Sequence, residues 1–194
     1  MLVASKGGTS ISAADLAKAV LPVLGDAAPR TASAPLTPGV ARVTTERATT
    51  LGITEPIGTF TSRHPCCRPR VQNIQRIADI VDGHVVLPGE QFDLNDVVGP
   101  RDRARGFVEA PQILEGEFVD RVGGGISQFA TTLFNAVFFS GLGDVTHSPH
   151  SYYFSRYPPG REATVSFPLP DLIFRTTARR ACSSPPRTPA PRSP

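Results

Sequence analysis

Apolar residues recur at helical spacing in three parts of the chain. The first lies between Ser12 and Gly25, where Ser12 with Asp15 marks a helix start and Pro22 ends the regular part early. The second occupies Val71–Val81 and stops at Gly83. The third, Gln128–Phe139, is apolar around most of the helix circumference, which predicts a helix buried on nearly all sides that ends at Gly141.

Short strand-like runs separate these helices. In APQILEGEFVD, Glu115-Gly116 is placed to turn a hairpin, and SYYFSRY and EATVSF form a second hairpin candidate around PPGR. Helices and strands alternate without a βαβ rhythm. The pattern therefore predicts an α+β fold: a single compact domain with short antiparallel strands and hairpins around a buried helix.

Composition divides the chain into three parts. Residues 1–40 resemble the end of a preceding unit together with a linker, which is rich in Pro, Ala, Ser and Thr and spans Asp26–Gly39. Residues 41–175 form the predicted domain. Residues 176–194 are rich in Pro, Arg and Ser without apolar periodicity, which predicts disorder.

The charge distribution argues against nucleic-acid binding. The net charge of +3 comes from five arginines after Asp171 that have no acid among them, and the chain before them carries 15 basic and 17 acidic residues. A phosphate backbone requires a basic stripe on the folded body. No nucleic-acid partner is expected.

Cysteine and histidine usage suggests neither a disulfide framework nor a metal. Cys66 and Cys67 are adjacent and cannot form an ordinary disulfide without strain, and Cys182 lies in the tail. His64–Cys67 could supply half of a zinc site, but the second ligand pair is missing. We expect no metal and no cofactor, and the oligomeric state stays open.

The sequence GGGISQ, residues 123–128, allows two interpretations. In the simpler one, Ser127 caps the helix by accepting from the N–H of Ala130. In the other, Gly123, Gly124 and Gly125 let the backbone approach a ligand, and their N–H groups favour an anion or an oxyanion. Gln128 then either donates to a bound carbonyl or satisfies backbone at the helix start.

The second interpretation makes Ser127 a candidate nucleophile, which needs a base. His150 is the better placed base and His147 the alternative. In a regular hairpin His150 faces residues 168–171, and Glu162 lies about 20 Å away along the strand. We therefore predict a catalytic set of Ser127, His150 and Asp171, with Asp171 orienting the imidazole.

Aromatic and cationic side chains alternate in YYFSRYPPGRE. Tyr152, Arg156 and Arg161 are candidate ligand-binding residues, since aromatic faces beside cations suit sugars and carboxylates such as those of peptidoglycan. A half-buried hairpin has much the same composition. Asn73 and Asn95 are likewise open to a site role or, more simply, a cap or turn role.

Four motifs in order, PGEQFDLNDVVG, VGGGISQFATTLFNA, HSPHSYY and YPPGREATV, resemble the VanW-like family, named for an accessory gene of vancomycin-resistance clusters. The resemblance runs from about Arg42 to Arg175. Many members carry cysteine where this chain has Ser127, His-Pro-His where it has residues 148–150, and aspartate where it has Glu162. Residues 1–40 then resemble the end of the peptidoglycan-binding repeat that often precedes this domain.

The resemblance implies an outward-facing cell-envelope protein that binds peptidoglycan or its precursors, without established catalysis. The alternative is an acyl-transfer enzyme acting on peptidoglycan peptides through Ser127 and His150, since cysteine followed by histidine is similar in outline to papain-like enzymes. In VanW-like proteins a membrane anchor usually stands before the peptidoglycan-binding repeat. This chain shows neither a signal peptide nor an apolar stretch of spanning length, so we expect any membrane attachment to depend on an upstream anchor.

Overall fold

The structure is a computed structural model that describes residues 4–114, 116–177 and 182–183. The α+β class predicted from the sequence is confirmed, with helices interspersed among small antiparallel sheets. The chain divides into two compact units, Met1–Gly52 and Ile53–Pro194. The site described below lies wholly in the second.

The first unit contains two short helices and one strand pair. β1 (Gly8–Ser10) pairs antiparallel with β2 (Thr37–Gly39), which lies at the end of the predicted linker. The predicted first helix is confirmed as α1 (Ala13–Val20), where Ser12 accepts from the N–H of Asp15, followed by one 3₁₀ turn at Leu21–Val23. α2 spans Thr45–Thr50.

The second unit begins its regular structure with α3 (Pro69–Val81), which confirms the second helical prediction. Pro69 suits a helix start because its missing N–H would have no helical partner there. Ile77 and Val81 lie in the core with Leu94 of α4 (Leu94–Val98). Just before α3, the adjacent residues Cys66 and Cys67 are joined in a disulfide, and Cys67 has φ 71°. The expectation that this pair stays unbridged is therefore corrected.

The hairpin predicted around Glu115-Gly116 is confirmed. β5 (Glu109–Leu114) pairs antiparallel with β6 (Glu117–Val122), and Leu114 lies opposite Glu117. Two residues are thus left for the turn. Gly116 has φ 86°, which a glycine adopts without steric cost.

Helix α5 (Ser127–Ser140) is the central helix of this unit and confirms the third helical prediction. Ala130, Phe134 and Val137 are buried in the core, and Gly141 closes the helix in the left-handed conformation. The burial is less complete than predicted, because Phe138 and Phe139 at the last turn are more than half exposed.

Three further strand pairings complete the unit. β8 (Ile173–Arg175) lies between β4 (Gln91–Asp93) and β7 (Gly143–Thr146) in an antiparallel sheet. β3 (Val85–Val86) pairs with β9 (Cys182–Ser183). Two short pieces of the predicted tail, residues 176–177 and 182–183, are thus part of the described fold, and Thr176 is buried. The rest of 176–194 lies outside the described residues.

The second predicted hairpin is wrong, because residues 151–168 form turns and extended segments without strand pairing. Side chains on one face of α5 instead satisfy the backbone of residues 161–165. Thr131 Oγ1 donates to the carbonyl of Ala163 and accepts from its N–H, at 2.9 and 3.1 Å. Asn135 Nδ2 donates to the carbonyl of Arg161 at 2.9 Å. Side chains of α5 therefore form backbone hydrogen bonds that a partner strand would form in a hairpin.

Candidate functional site

A cleft of about 850 Å³ opens beside the start of α5. One wall is the β5–β6 hairpin and another is the glycine turn with the first residues of α5. The rest comes from the start of α3 and from residues 148–157 and 164–170. Its polar, charged and aromatic lining includes Arg68, Arg70, Gln112, Phe118, Ser127, Gln128, His150, Tyr152, Phe154, Arg156, Tyr157 and Thr164.

The glycine turn is packed tightly against the hairpin. A Cβ on Gly124 would lie 1.8 Å from the carbonyl oxygen of Ala110, so only glycine fits. The N–H of Gly123 donates to Val108 and that of Gly124 to Arg121. These two N–H groups are therefore used within the fold, and the expectation that they face an anion is wrong. Gly123 and Gly125 line the cleft, whereas Gly124 does not.

Asn73 ties α3 to this turn. Its Nδ2 donates to the carbonyls of Val108 and Gly124, both at 2.9 Å, and its Oδ1 accepts from the N–H of Val108. The side chain is fully buried. Asn95 is used in the same way, since its Nδ2 donates to the carbonyls of Ser166 and Pro168. Both asparagines therefore hold the backbone of distant segments together, a structural role different from the cap or turn role expected from the sequence.

Gln128 holds three segments together. Its Nε2 donates to Ser62 Oγ and to the carbonyl of Arg63, each at 3.0 Å, while its Oε1 accepts from Arg70. The residue is only 2% exposed. Gln128 therefore ties the start of α5 to residues 62–63 and orients Arg70 at the cleft.

Ser127 is the first residue of α5 rather than its cap, because Ile126 occupies the cap position and has helical backbone angles. The interpretation of Ser127 as a cap is thus wrong. Its hydroxyl oxygen lies 3.1 Å from Thr164 Oγ1 and accepts from the N–H of Val165 at 3.3 Å. These contacts turn the hydroxyl toward residues 164–165, and the imidazole of His150 is not among its partners.

His150 pairs with Glu162, at 2.7 Å between Nδ1 and Oε2. The ring stacks on Tyr157 and meets Phe154 edge-on. Burial lowers the pKa of His150, and the hydrogen bond to Glu162 opposes this effect only in part. Because a carboxylate only accepts, a neutral imidazole carries its proton on Nδ1 and leaves Nε2 free to accept a proton.

The predicted pairing of His150 with Asp171 is wrong. The regular hairpin on which it rested does not form, and the chain folds back so that Glu162 reaches the imidazole. Asp171 is 4% exposed and accepts from the backbone N–H groups of Asn95 and Leu172. Burial, followed by a hydrogen bond with Asp93, raises the pKa of Asp171 to about 7.

Arg156 lies against aromatic rings at the cleft. Its guanidinium carbon is 4.4 Å from the ring centre of Phe154 and 5.2 Å from that of Tyr157. Burial raises the pKa of Tyr157, although a hydrogen bond with Arg156 opposes the rise. Arg161, the other predicted binding arginine, lies instead over Phe138 and Phe139 and does not line the cleft.

The structure thus brings most of the predicted site residues to one cleft. They are Gly123, Gly125, Ser127, Gln128, His150, Tyr152 and Arg156. Sequence reasoning missed Glu162 as the partner of His150, and it missed Arg70. A signal for Arg70 was present: it precedes Ile74, Ile77 and Val81 at helical spacing, so it is a cation at the end of an apolar face.

The chain matches known proteins over a region that contains α3, α5 and most of the cleft. The family model described as "VanW like protein" matches residues 69–183, more than half of the chain. The chain belongs to the VanW-like family. The Bacillus subtilis protein YoaR is 46% identical over 108 residues, which cover 56% of this chain and 36% of YoaR. No solved structure matches the chain.

Three further findings bear on the setting of this VanW-like domain. The matched region spans about a third of the length of YoaR, so the family assignment concerns the domain. Within the part of the chain that the structure describes, none of the helices has the length and apolar character needed to cross a bilayer. Among the same residues, no three His, Cys, Asp or Glu side chains gather in a metal-binding cluster.

Proposed function

We propose that this VanW-like protein is an outward-facing accessory protein of the cell envelope that binds peptidoglycan or its precursors in the 850 Å³ cleft. The observation that supports this function best is the combination of exposed aromatic faces and guanidinium groups on one concave surface. Aromatic faces pack against sugar rings, and guanidinium groups bind carboxylates.

Tyr152 is the aromatic residue best placed for such a contact. It is 51% exposed, lines the cleft, and lies edge-on to Phe118 of β6 at 5.8 Å between ring centres. Its neighbour Tyr153 is 67% exposed and is not part of the cleft lining. Two adjacent tyrosines thus differ mainly in whether they face the proposed ligand.

The test is co-sedimentation of the full chain with purified, insoluble peptidoglycan. We expect Tyr152→Ala to lower the bound fraction several-fold, because a stacking contact of about 1 kcal/mol is lost, and Tyr153→Ala to bind like the unchanged protein. Lack of binding by the unchanged protein, while a known wall-binding module sediments under the same conditions, would refute the proposal. Equal loss in both variants would place the binding surface outside the cleft.

A second candidate function is acyl transfer on peptidoglycan peptides through Ser127 and His150. The observation in its favour is the carboxylate-oriented imidazole of His150 lining the same cleft as Ser127. Ser127→Ala and His150→Gln should each abolish turnover of a soluble peptidoglycan peptide if this reaction occurs. Undiminished turnover in Ser127→Ala would end this proposal and would leave the binding function untouched.

A further inference from the structure

The charges of the cleft are one-sided. Arg68, Arg70 and Arg156 line it, and among the described lining residues there is no Asp or Glu. The carboxylate of Glu162, which contacts the lining residue His150, is already paired with that imidazole. Repulsion among these positive charges raises the free energy of the cleft when no counter-charge is present. An anion that enters the cleft is therefore attracted.

Arg70 is held in place with its hydrogen-bonding capacity partly unused. It projects from the first turn of α3, donates to Gln128 Oε1, and has a buried Nε without a hydrogen-bond partner. Burial lowers its pKa, and the positive charge of Arg156 lowers it further. Arg70 and Arg156 both line the cleft, so the two guanidinium groups belong to one site.

Arg156 is oriented by its aromatic neighbours. Phe154 and Tyr157 flank its guanidinium, and Tyr157 is itself only 4% exposed. A guanidinium held against rigid rings keeps its fork of N–H donors in a fixed plane, which suits the two oxygens of a carboxylate or phosphate.

We infer that the cleft recognises an anionic oxygen group of its ligand, a carboxylate or a phosphate, seated between the guanidinium groups of Arg70 and Arg156. This inference rests on the proposed function and deepens it. Peptide stems supply free carboxylates and nucleotide-linked precursors supply phosphates, so a sugar ring on Tyr152 and an anion on the arginines account for two ends of one ligand.

The experiment is calorimetric titration of the full chain with three probes: a disaccharide peptide with free carboxylates, the same molecule with its carboxylates amidated, and a nucleotide-linked muramyl peptide that carries a pyrophosphate. Arg156→Gln should weaken binding of the anionic probes by about 10-fold or more, since a charge-assisted hydrogen bond is lost. Arg161→Gln is the matched control, because Arg161 lies outside the cleft, and its affinities should equal those of the unchanged protein.

The probes distinguish the two sources of the anion. If Arg156→Gln loses affinity for the free-carboxylate probe and not for its amidated form, the anion is a carboxylate. If the variant loses affinity only for the pyrophosphate probe, the anion is a phosphate. Arg156→Lys keeps the charge without the fork and should recover only part of the affinity. Arg70→Lys gives an independent second variant at the other guanidinium.

The failures are also distinguishable. If the unchanged protein binds the probes and Arg156→Gln binds them equally well, the anion site is refuted while peptidoglycan binding stands. If no peptidoglycan-derived probe binds, inorganic pyrophosphate and succinate are tested by thermal shift. An Arg156-dependent rise in Tm then supports the anion site without the proposed function, and no rise overturns both.

Discussion

At the scale of single residues, Asp171 makes the stability of the folded state depend on pH. Its carboxyl is buried, accepts two backbone hydrogen bonds through Oδ1, and has its pKa raised to about 7 from an ordinary value of 3.8. The folded state therefore binds this proton more tightly than the unfolded state. The contribution to stability is fully present below pH 3.8 and is lost as pH rises through about 7.

Asp171→Asn should remove this loss, since the amide oxygen keeps the Oδ1 acceptor position and carries no charge. We expect the variant to gain stability relative to the unchanged protein as pH rises from 4 to 8, measured by urea denaturation at several pH values. Asp120→Asn, on the exposed face of β6, is the control and should leave the pH profile unchanged. An identical pH slope in Asp171→Asn and the unchanged protein would contradict the prediction.

Single residues also show why the site was only partly predictable. Ser127, Gln128 and His150, which the sequence proposes as candidate site residues, all line the cleft. Their partners lie far along the chain, at Thr164, Ser62 and Glu162. A hairpin register guessed from sequence places Glu162 about 20 Å from His150. Only the actual path of residues 151–162 brings the two side chains together.

At the scale of elements, α5 holds residues 161–165 by side-chain hydrogen bonds. Thr131 and Ala163 are both fully buried, and the threonine hydroxyl satisfies both the N–H and the carbonyl of Ala163. Thr131→Val is nearly isosteric but leaves these two backbone groups unpaired. We expect a loss of about 2–3 kcal/mol in the free energy of unfolding, measured by urea denaturation.

The matched substitution is Thr146→Val in β7, where the threonine is exposed. It should change stability by less than about 0.5 kcal/mol, because surface substitutions outside special contacts are nearly neutral. A Thr131→Val protein as stable as Thr146→Val would show that α5 does not anchor this segment. Because residues 161–165 carry Glu162 and Thr164, such a result would also weaken the account of the cleft.

The glycine turn gives a second element-scale prediction. A methyl group on Gly124 would meet the backbone of β5 at Ala110, which cannot move aside as a side chain can. Gly124→Ala should therefore destabilise the protein by about 2 kcal/mol or more. Gly25→Ala, where an added Cβ meets nothing within 4 Å, is the control. Equal Tm values for the two variants would refute the packing role of the turn.

Element prediction succeeded where local pattern and packing agree. The amphipathic spacing of α3 and the two-residue turn between β5 and β6 each specify one conformation. The second hairpin failed although its residues favour strands. Pro158, Pro159 and Pro168 lack N–H groups, and α5 supplies side-chain partners that a local pattern does not show.

At the scale of the whole molecule, the two compact units differ in how they are stabilised. Among the residues that the structure describes, the buried apolar core lies in the second unit, from Ile77 to Phe174. Within residues 4–52 of the first unit, none is fully buried. Apolar burial is the main source of folding free energy, so the first unit is expected to unfold more easily than the second.

The chain offers two spectroscopic probes that report on different parts of it. It has no tryptophan, and its three tyrosines all lie within residues 152–157, so tyrosine fluorescence follows only the second unit. Far-UV circular dichroism also follows α1 and α2 of the first unit. We expect the dichroism signal to begin falling at lower urea than the fluorescence signal, because two units of unequal stability do not unfold as one.

Thr131→Val should move the fluorescence transition to lower urea and leave the early dichroism phase in place. Coincident transitions by both probes, moved together by Thr131→Val, would show instead that the two units fold as a single cooperative structure.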